Sequence, residues 1–125
     1  MINATRMNLF DLTKGISSVV DLMSPAVSDH HIRVAYIAYN IADEMGLSLD
    51  EKKSIVLAAT LHDIGAFSLE TRADILNFEI EHPHQHAKVG YWLLNLFQPF
   101  RDIADIVKFH HVPWEHGKGV EFEGD

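Results

Sequence analysis

The sequence predicts an all-α fold, a single bundle of about five to six helices. Two observations carry that expectation. Apolar residues recur at spacings of three and four through almost every segment, and no run alternates apolar and polar residues long enough to form a half-buried strand. Glycine and proline then cut these periodic segments into helix-length pieces.

Leu9, Leu12, Ile16, Val19, Val20 and Met23 share one face of a first helix over about Met7 to Met23, which Ser24 and Pro25 end. Pro25 suits the first turn of a second helix, where the amide it lacks would have no partner; that helix runs to about Met45 and stops at Gly46. Ser48 and Glu51 have the spacing of a capping box for a third helix that ends near Gly65. A shorter helix is expected from about Glu70 to Phe78. Pro83 opens another that reaches about Phe97, and Pro99 opens the last, which runs to His111. The remainder, VPWEHGKGVEFEGD, holds three glycines, a proline and few periodic apolar residues, so it is expected to be irregular. No internal repeat or low-complexity linker interrupts the pattern.

At 125 residues the chain is expected to form one domain, with a core large enough to stand without disulfides or a structural metal. Eighteen acidic against ten basic residues leave a net charge of −8, so the overall field repels nucleic acid, and no helix is basic enough to reverse it locally. Nucleic acid is therefore excluded as a general partner. There is no cysteine, no apolar run of membrane-spanning length and no N-terminal pattern of a signal peptide, so the expected location is the cytoplasm and no membrane partner is expected.

The histidines are the abnormal feature. There are nine, and most fall in tight groups: His30 with His31, His82 with His84 and His86, and His110 with His111. On the second helix, Val27, Val34, Ile37 and Ile41 form an apolar stripe whose remaining position is His30. Ile55 and Ala58 lead to His62 on the third helix. His86 heads the stripe Val89, Gly90, Leu93, Phe97, and His110 ends the stripe Ile103, Ile106, Val107. One such histidine is ordinarily a buried imidazole bonded to a carbonyl group. Four converging from four helices, with Asp63 beside one of them, would be costly to desolvate unless something held their lone pairs together, and a divalent cation does so. Imidazole and carboxylate donors without thiolate suit Fe, Mn, Co, Ni or Zn. His31 lies about 100° around the helix from His30 and shares a small-residue stripe with Ala35, Ala38 and Ala42, so periodicity leaves both open. His111 stands in the same relation to His110. His82 and His84 are expected to be solvated loop residues, and His116 to be exposed in the glycine-rich tail.

These residues resemble the HD-domain metal-dependent phosphohydrolases, near the HD-GYP branch. The matching pieces are HHIRVAYIA at 30–38, AATLHDIG at 58–65, HAKVG at 86–90 and VKFHHVPWEHGKG at 107–119. The resemblance implies that His30, three residues before Arg33, is the first metal ligand. It implies that His62 and Asp63 are the defining pair, with the aspartate bridging two metals, and that His86, His110 and His111 are further ligands. Ala26 stands where some relatives carry a glutamate for a third metal, so two are expected. Ala66 replaces a lysine commonly associated with substrate phosphate, and the glycine-tyrosine-proline signature is absent. The family's last aspartate ligand lies on a helix beyond the paired histidines, so 26–111 is expected to be the metal-site core, and 112–125 a tail cut before that helix.

A two-metal site suits phosphoester hydrolysis, with Asp63 and His62 at its centre. The expected function is hydrolysis of a nucleotide-type phosphomonoester or phosphodiester, the substrate being a phosphorylated small molecule or nucleotide. Arg72 and Lys88 are the candidate phosphate contacts, although such residues usually stay solvated. A homodimer and a fused or partner sensor domain are both left open. The competing expectation is a signalling or scaffolding module that binds metal, or none, without turnover.

Overall fold

The computed structural model describes residues 6–23, 29–68 and 83–114. They form five α-helices: α1 (Leu9–Met23), α2 (His30–Glu44), α3 (Leu49–Leu61), α4 (Pro83–Asn95) and α5 (Arg101–Lys108). Two 3₁₀ turns, Ile64–Ser68 and Gln98–Phe100, complete them, and there is no strand among the described residues. The expected all-α bundle is what the chain adopts. The helix expected at Glu70 to Phe78, the helix start at Pro25, and most of the irregular tail lie outside the described residues.

The third helix begins as the capping spacing predicts. Ser48 Oγ accepts from the Glu51 amide at 3.3 Å, and Glu51 Oε2 accepts from the Ser48 amide at 2.8 Å, so two otherwise unpaired donors are satisfied reciprocally. Its end differs from the expectation. The α-helix stops at Leu61; His62 and Asp63 form a turn, and the Ala66 amide donates to the Asp63 carbonyl at 2.9 Å as the chain tightens into a 3₁₀ helix.

The core runs from α3 to α5: Leu57, Ala58 and Leu61 pack with Leu94 of α4 and with Phe100, Ile103, Ala104 and Val107, while Leu9, Leu12 and Ile16 of α1 close one side. Burying a leucine of this kind stabilises by about 1.5–3 kcal/mol. On α1 the inward face is shared with a polar row, for Thr13 and Ser17 are buried and Val19, expected inside, is exposed. The larger correction concerns α2. Ile37 and Ile41, 57% and 55% exposed, face outward, and the buried residues are His31, Ala35 and Ala42. Small side chains let α2 approach α3 closely, where Ala35 stands near Val56 and Thr60; isoleucines there would hold the two axes apart. None of the described helices is long and apolar enough to cross a membrane.

Candidate metal centre

Four chain segments meet at Asp63. His30 and His31 open α2, His62 and Asp63 follow α3, His86 lies one turn into α4, and His110 and His111 form the turn that ends α5. Gly65 makes this convergence sterically feasible. A Cβ there would overlap the carbonyl oxygen of His86 and the amide nitrogen of Gly90, so only a glycine lets the turn after Asp63 lie directly on the α4 backbone. Gly90 in turn lies close to Val107 and Ile64, bringing α4 against α5.

The buried Asp63 carboxylate has a set of imidazole nitrogens on each oxygen. Oδ2 lies 2.9 Å from His62 Nε2, 3.6 Å from His31 Nε2 and 3.7 Å from His30 Nε2. Oδ1 lies 3.4 Å from His86 Nε2 and 3.6 Å from His110 Nε2. Within the sets, nitrogen faces nitrogen: His30 Nε2 to His62 Nε2 is 3.3 Å, His86 Nε2 to His110 Nε2 is 3.3 Å, and His111 Nε2 to His86 Nε2 is 3.0 Å. Two groups could each hold a metal ion, Asp63 with His86, His110 and His111, and Asp63 with His30 and His62; they share the one carboxylate.

Two of the outer ring nitrogens are held from behind by backbone carbonyls. Nδ1 of His62 donates to the Ala59 carbonyl at 2.7 Å and Nδ1 of His110 to the Val107 carbonyl at 2.6 Å, which leaves each Nε2 lone pair directed at the centre. Burial alone would raise the pKa of Asp63, but the imidazoles of His110, His31, His62 and His86 outweigh it and hold the carboxyl far below the usual carboxylate range. Burial, with the neighbouring His110 and His86, lowers the pKa of His111 to about 4, so its ring is neutral near pH 7 and its lone pair is free to bind.

The structure thus brings together His30, His62, Asp63, His86, His110 and His111. It also brings in two residues that periodicity did not single out, His31 and Asp21, whose side chains meet at 2.6 Å through His31 Nδ1. Asp21 completes the row Thr13, Ser17, Asp21 at spacing four on α1, the one signal in the sequence that it faces inward. Lys88 is half-buried on α4 and makes no ion pair among the described residues; Arg72, His82 and His116 lie outside them. His84, expected in a loop, lies half-buried in the first turn of α4.

The sequence matches the family model of the HD domain over residues 27–122, a span that contains all six of the expected ligands. The chain belongs to the HD domain family. Among proteins of known activity, this HD domain is 28% identical over 106 residues to a 3'3'-cGAMP-specific phosphodiesterase of Vibrio cholerae, covering 84% of this chain and 25% of that protein. It is 28% identical over 114 residues to a cyclic di-GMP phosphodiesterase of Thermotoga maritima, covering 86% of this chain and 31% of the other. The chain therefore spans about a quarter to a third of the length of these relatives. No solved structure matches it.

Proposed function

We propose that this HD domain is a metal-dependent phosphohydrolase that cleaves a nucleotide-type phosphomonoester or phosphodiester at a dinuclear centre, with cyclic dinucleotides as the leading substrate class. The observation that carries the reading is the Asp63 carboxylate, buried and ionised, with a separate set of imidazole nitrogens on each oxygen. The spacing of those nitrogens fits coordination. A metal–nitrogen distance of about 2.0–2.1 Å puts tetrahedral donors about 3.3 Å apart and octahedral neighbours about 3.0 Å apart, and the pairs here are 3.0 to 3.3 Å.

His30 and His62 with Oδ2 of Asp63 would hold one ion, and His86, His110 and His111 with Oδ1 the other, Asp63 bridging the two. Bound divalent ions supply charge withdrawal from phosphoryl oxygens and an acidified water near neutral pH. The protein's own contribution is to hold four of these donors in their binding form. Asp63 stays ionised because its neighbours lower its pKa; His62 and His110 are fixed in one tautomer by the Ala59 and Val107 carbonyls; His111 stays neutral. A cleft of about 320 Å³ between α2, α3 and α5 opens onto His62 and His110. Its walls of Val34, Ala38, Ile55 and Ile106 are apolar, suited to the flat face of a base and to excluding bulk water from the phosphoester. The two curated relatives, both phosphodiesterases of cyclic nucleotides by name, support that substrate class.

The test is metal analysis of the purified protein together with hydrolysis of bis(4-nitrophenyl) phosphate, 3'3'-cGAMP and cyclic di-GMP, against an Asp63→Ala control. The expected result is close to two metal ions per chain and turnover that the control abolishes. Folded protein that takes up no metal and hydrolyses none of the three sinks the reading. Ala66, standing where the family commonly has a phosphate-binding lysine, favours a second reading, a module that binds metal for signalling or scaffolding. Full metal occupancy without turnover would select it.

A further inference from the structure

The two halves of the centre are unequal. Around Asp63 Oδ1 stand three imidazoles, whereas the group on Oδ2 counts only His30 and His62. We infer that His31, backed by Asp21, is a further ligand of the centre and supplies the missing imidazole on the Oδ2 side. The inference rests on the metal-dependent reading above and deepens it.

Three observations converge on His31. The first is burial: the residue is 1% exposed, and its Nε2 has no hydrogen-bond partner among the described residues. That nitrogen points at Asp63 Oδ2 from 3.6 Å, too far for a hydrogen bond. A buried ring nitrogen aimed at a carboxylate oxygen without a hydrogen bond is costly, and an ion held between the two groups would satisfy both.

The second is the other side of the ring. Nδ1 donates to Asp21 Oδ1 at 2.6 Å. Metal-binding histidines characteristically donate their remaining N–H to a carboxylate or carbonyl, which fixes the tautomer and strengthens the donor nitrogen. His62 and His110 do so through backbone carbonyls, and His31 has the strongest acceptor of the three.

The third is the packing of the rings. The centroids of His30, His31 and His62 form a nearly equilateral triangle with sides of 5.3, 5.2 and 5.3 Å. Three imidazoles bound at about 2.0–2.1 Å on the corners of a tetrahedron would have centroids about 5.2 Å apart, since each centroid lies about 3.2 Å from the ion. Asp63 Oδ2 completes the four donors. The triangle is compatible with a shared ion, although His62 and His110, on opposite halves of the centre, also stand 5.2 Å apart.

The test uses the full chain, stripped with a chelator and titrated with Zn²⁺ against a chromophoric competitor, in wild type, His31→Gln and Asp21→Asn. One of two zinc equivalents should weaken by more than about 100-fold in His31→Gln and by roughly 10- to 100-fold in Asp21→Asn, the other holding its affinity. Long-range ¹H–¹⁵N spectra of the wild-type imidazoles give a second readout that needs no variant: the His31 Nε2 resonance should move on zinc addition. Wild type and His31→Gln binding two equivalents with equal affinity overturns this inference alone, as does an unmoved His31 Nε2 resonance in zinc-loaded wild type. Wild type that binds no zinc overturns the metal centre and this inference with it.

Discussion

Gly65 and His86 meet backbone to backbone, and a methyl group on Gly65 would overlap the His86 carbonyl oxygen and the Gly90 amide nitrogen. Neither is the flexible end of a side chain, so a substitution must push α4 away from the turn that carries Asp63. Gly65→Ala should therefore destabilise by about 3 kcal/mol, at the upper end of overpacking costs, and lower the thermal midpoint by roughly 10 °C. It should also weaken metal uptake, because His86 moves with α4. Gly15 is the control: it is exposed in α1 and a Cβ there meets nothing within 4 Å. Gly15→Ala should stabilise by about 0.5–1 kcal/mol. Thermal unfolding of the two variants, followed by circular dichroism, checks both signs.

A centre built from imidazoles on four chain segments and one carboxylate binds metal only when folded, so metal is a stabilising ligand. At a free concentration about 100 times its Kd, a single ion adds about 2.7 kcal/mol. For a domain of this size that is a rise in thermal midpoint of roughly 10 °C, reversed by a chelator. Differential scanning of chelator-treated protein, with and without added Mn²⁺ or Zn²⁺, measures it. In Asp63→Asn the rise should shrink to near zero, since both half-sites lose their shared anionic donor.

The metal-free protein should lose stability as the pH falls from about 6.5 towards 5. His111 has its folded pKa lowered from 6.5 to about 4, first by burial and then by His110 and His86. Across that interval the unfolded chain takes up a proton that the folded chain refuses. His31 has the opposite sign: burial lowers its pKa, but Asp63 and Asp21 outweigh burial and raise it above 6.5. Its contribution is fully present below 6.5 and does not vary in this window. Asp63, held below its ordinary 3.8, contributes stability that is lost only at lower pH still. Unfolding midpoints at about pH 6.5 and pH 5 should therefore differ in chelator-treated wild type, and the difference should narrow in His111→Gln. An equal slope in that variant would place the proton uptake elsewhere.

Much of the centre was legible in the sequence because its donors sit at core positions of strongly periodic helices. His86 heads the inward face of α4 and His110 ends that of α5. His31 was left open beside His30 and Asp21 was not legible, for two physical reasons. A stripe of large apolar residues ordinarily marks the buried face, yet on α2 the seam with α3 demands small ones, so the stripe with Ala35 and Ala42 is the inner face. Asp21 continues a polar row on α1, and a charge in such a row ordinarily faces water; its partner is ten residues away on another helix, where no spacing rule reaches. Val19 was misplaced for the same reason, since Thr13 and Ser17 occupy buried positions that hydrophobicity alone would deny them.

That inversion of α2 gives a pair of substitutions with opposite expectations from those hydrophobicity would suggest. Ile41 is 55% exposed, so Ile41→Ser removes little buried surface and should change stability by less than about 0.5 kcal/mol. Ala42, its neighbour, is 2% exposed against α3, and Ala42→Leu must force three further carbons into a seam whose closeness depends on small side chains. Overpacking of that kind should cost about 1–3 kcal/mol, although leucine is more apolar and as good a helix former. It should also shift His31 relative to Asp63, because both depend on how closely α2 lies against α3. Chemical denaturation of the two variants measures the first effect and zinc affinity the second. If Ile41→Ser proved the more damaging, the large apolar stripe and not the alanine stripe would be the face that α2 buries.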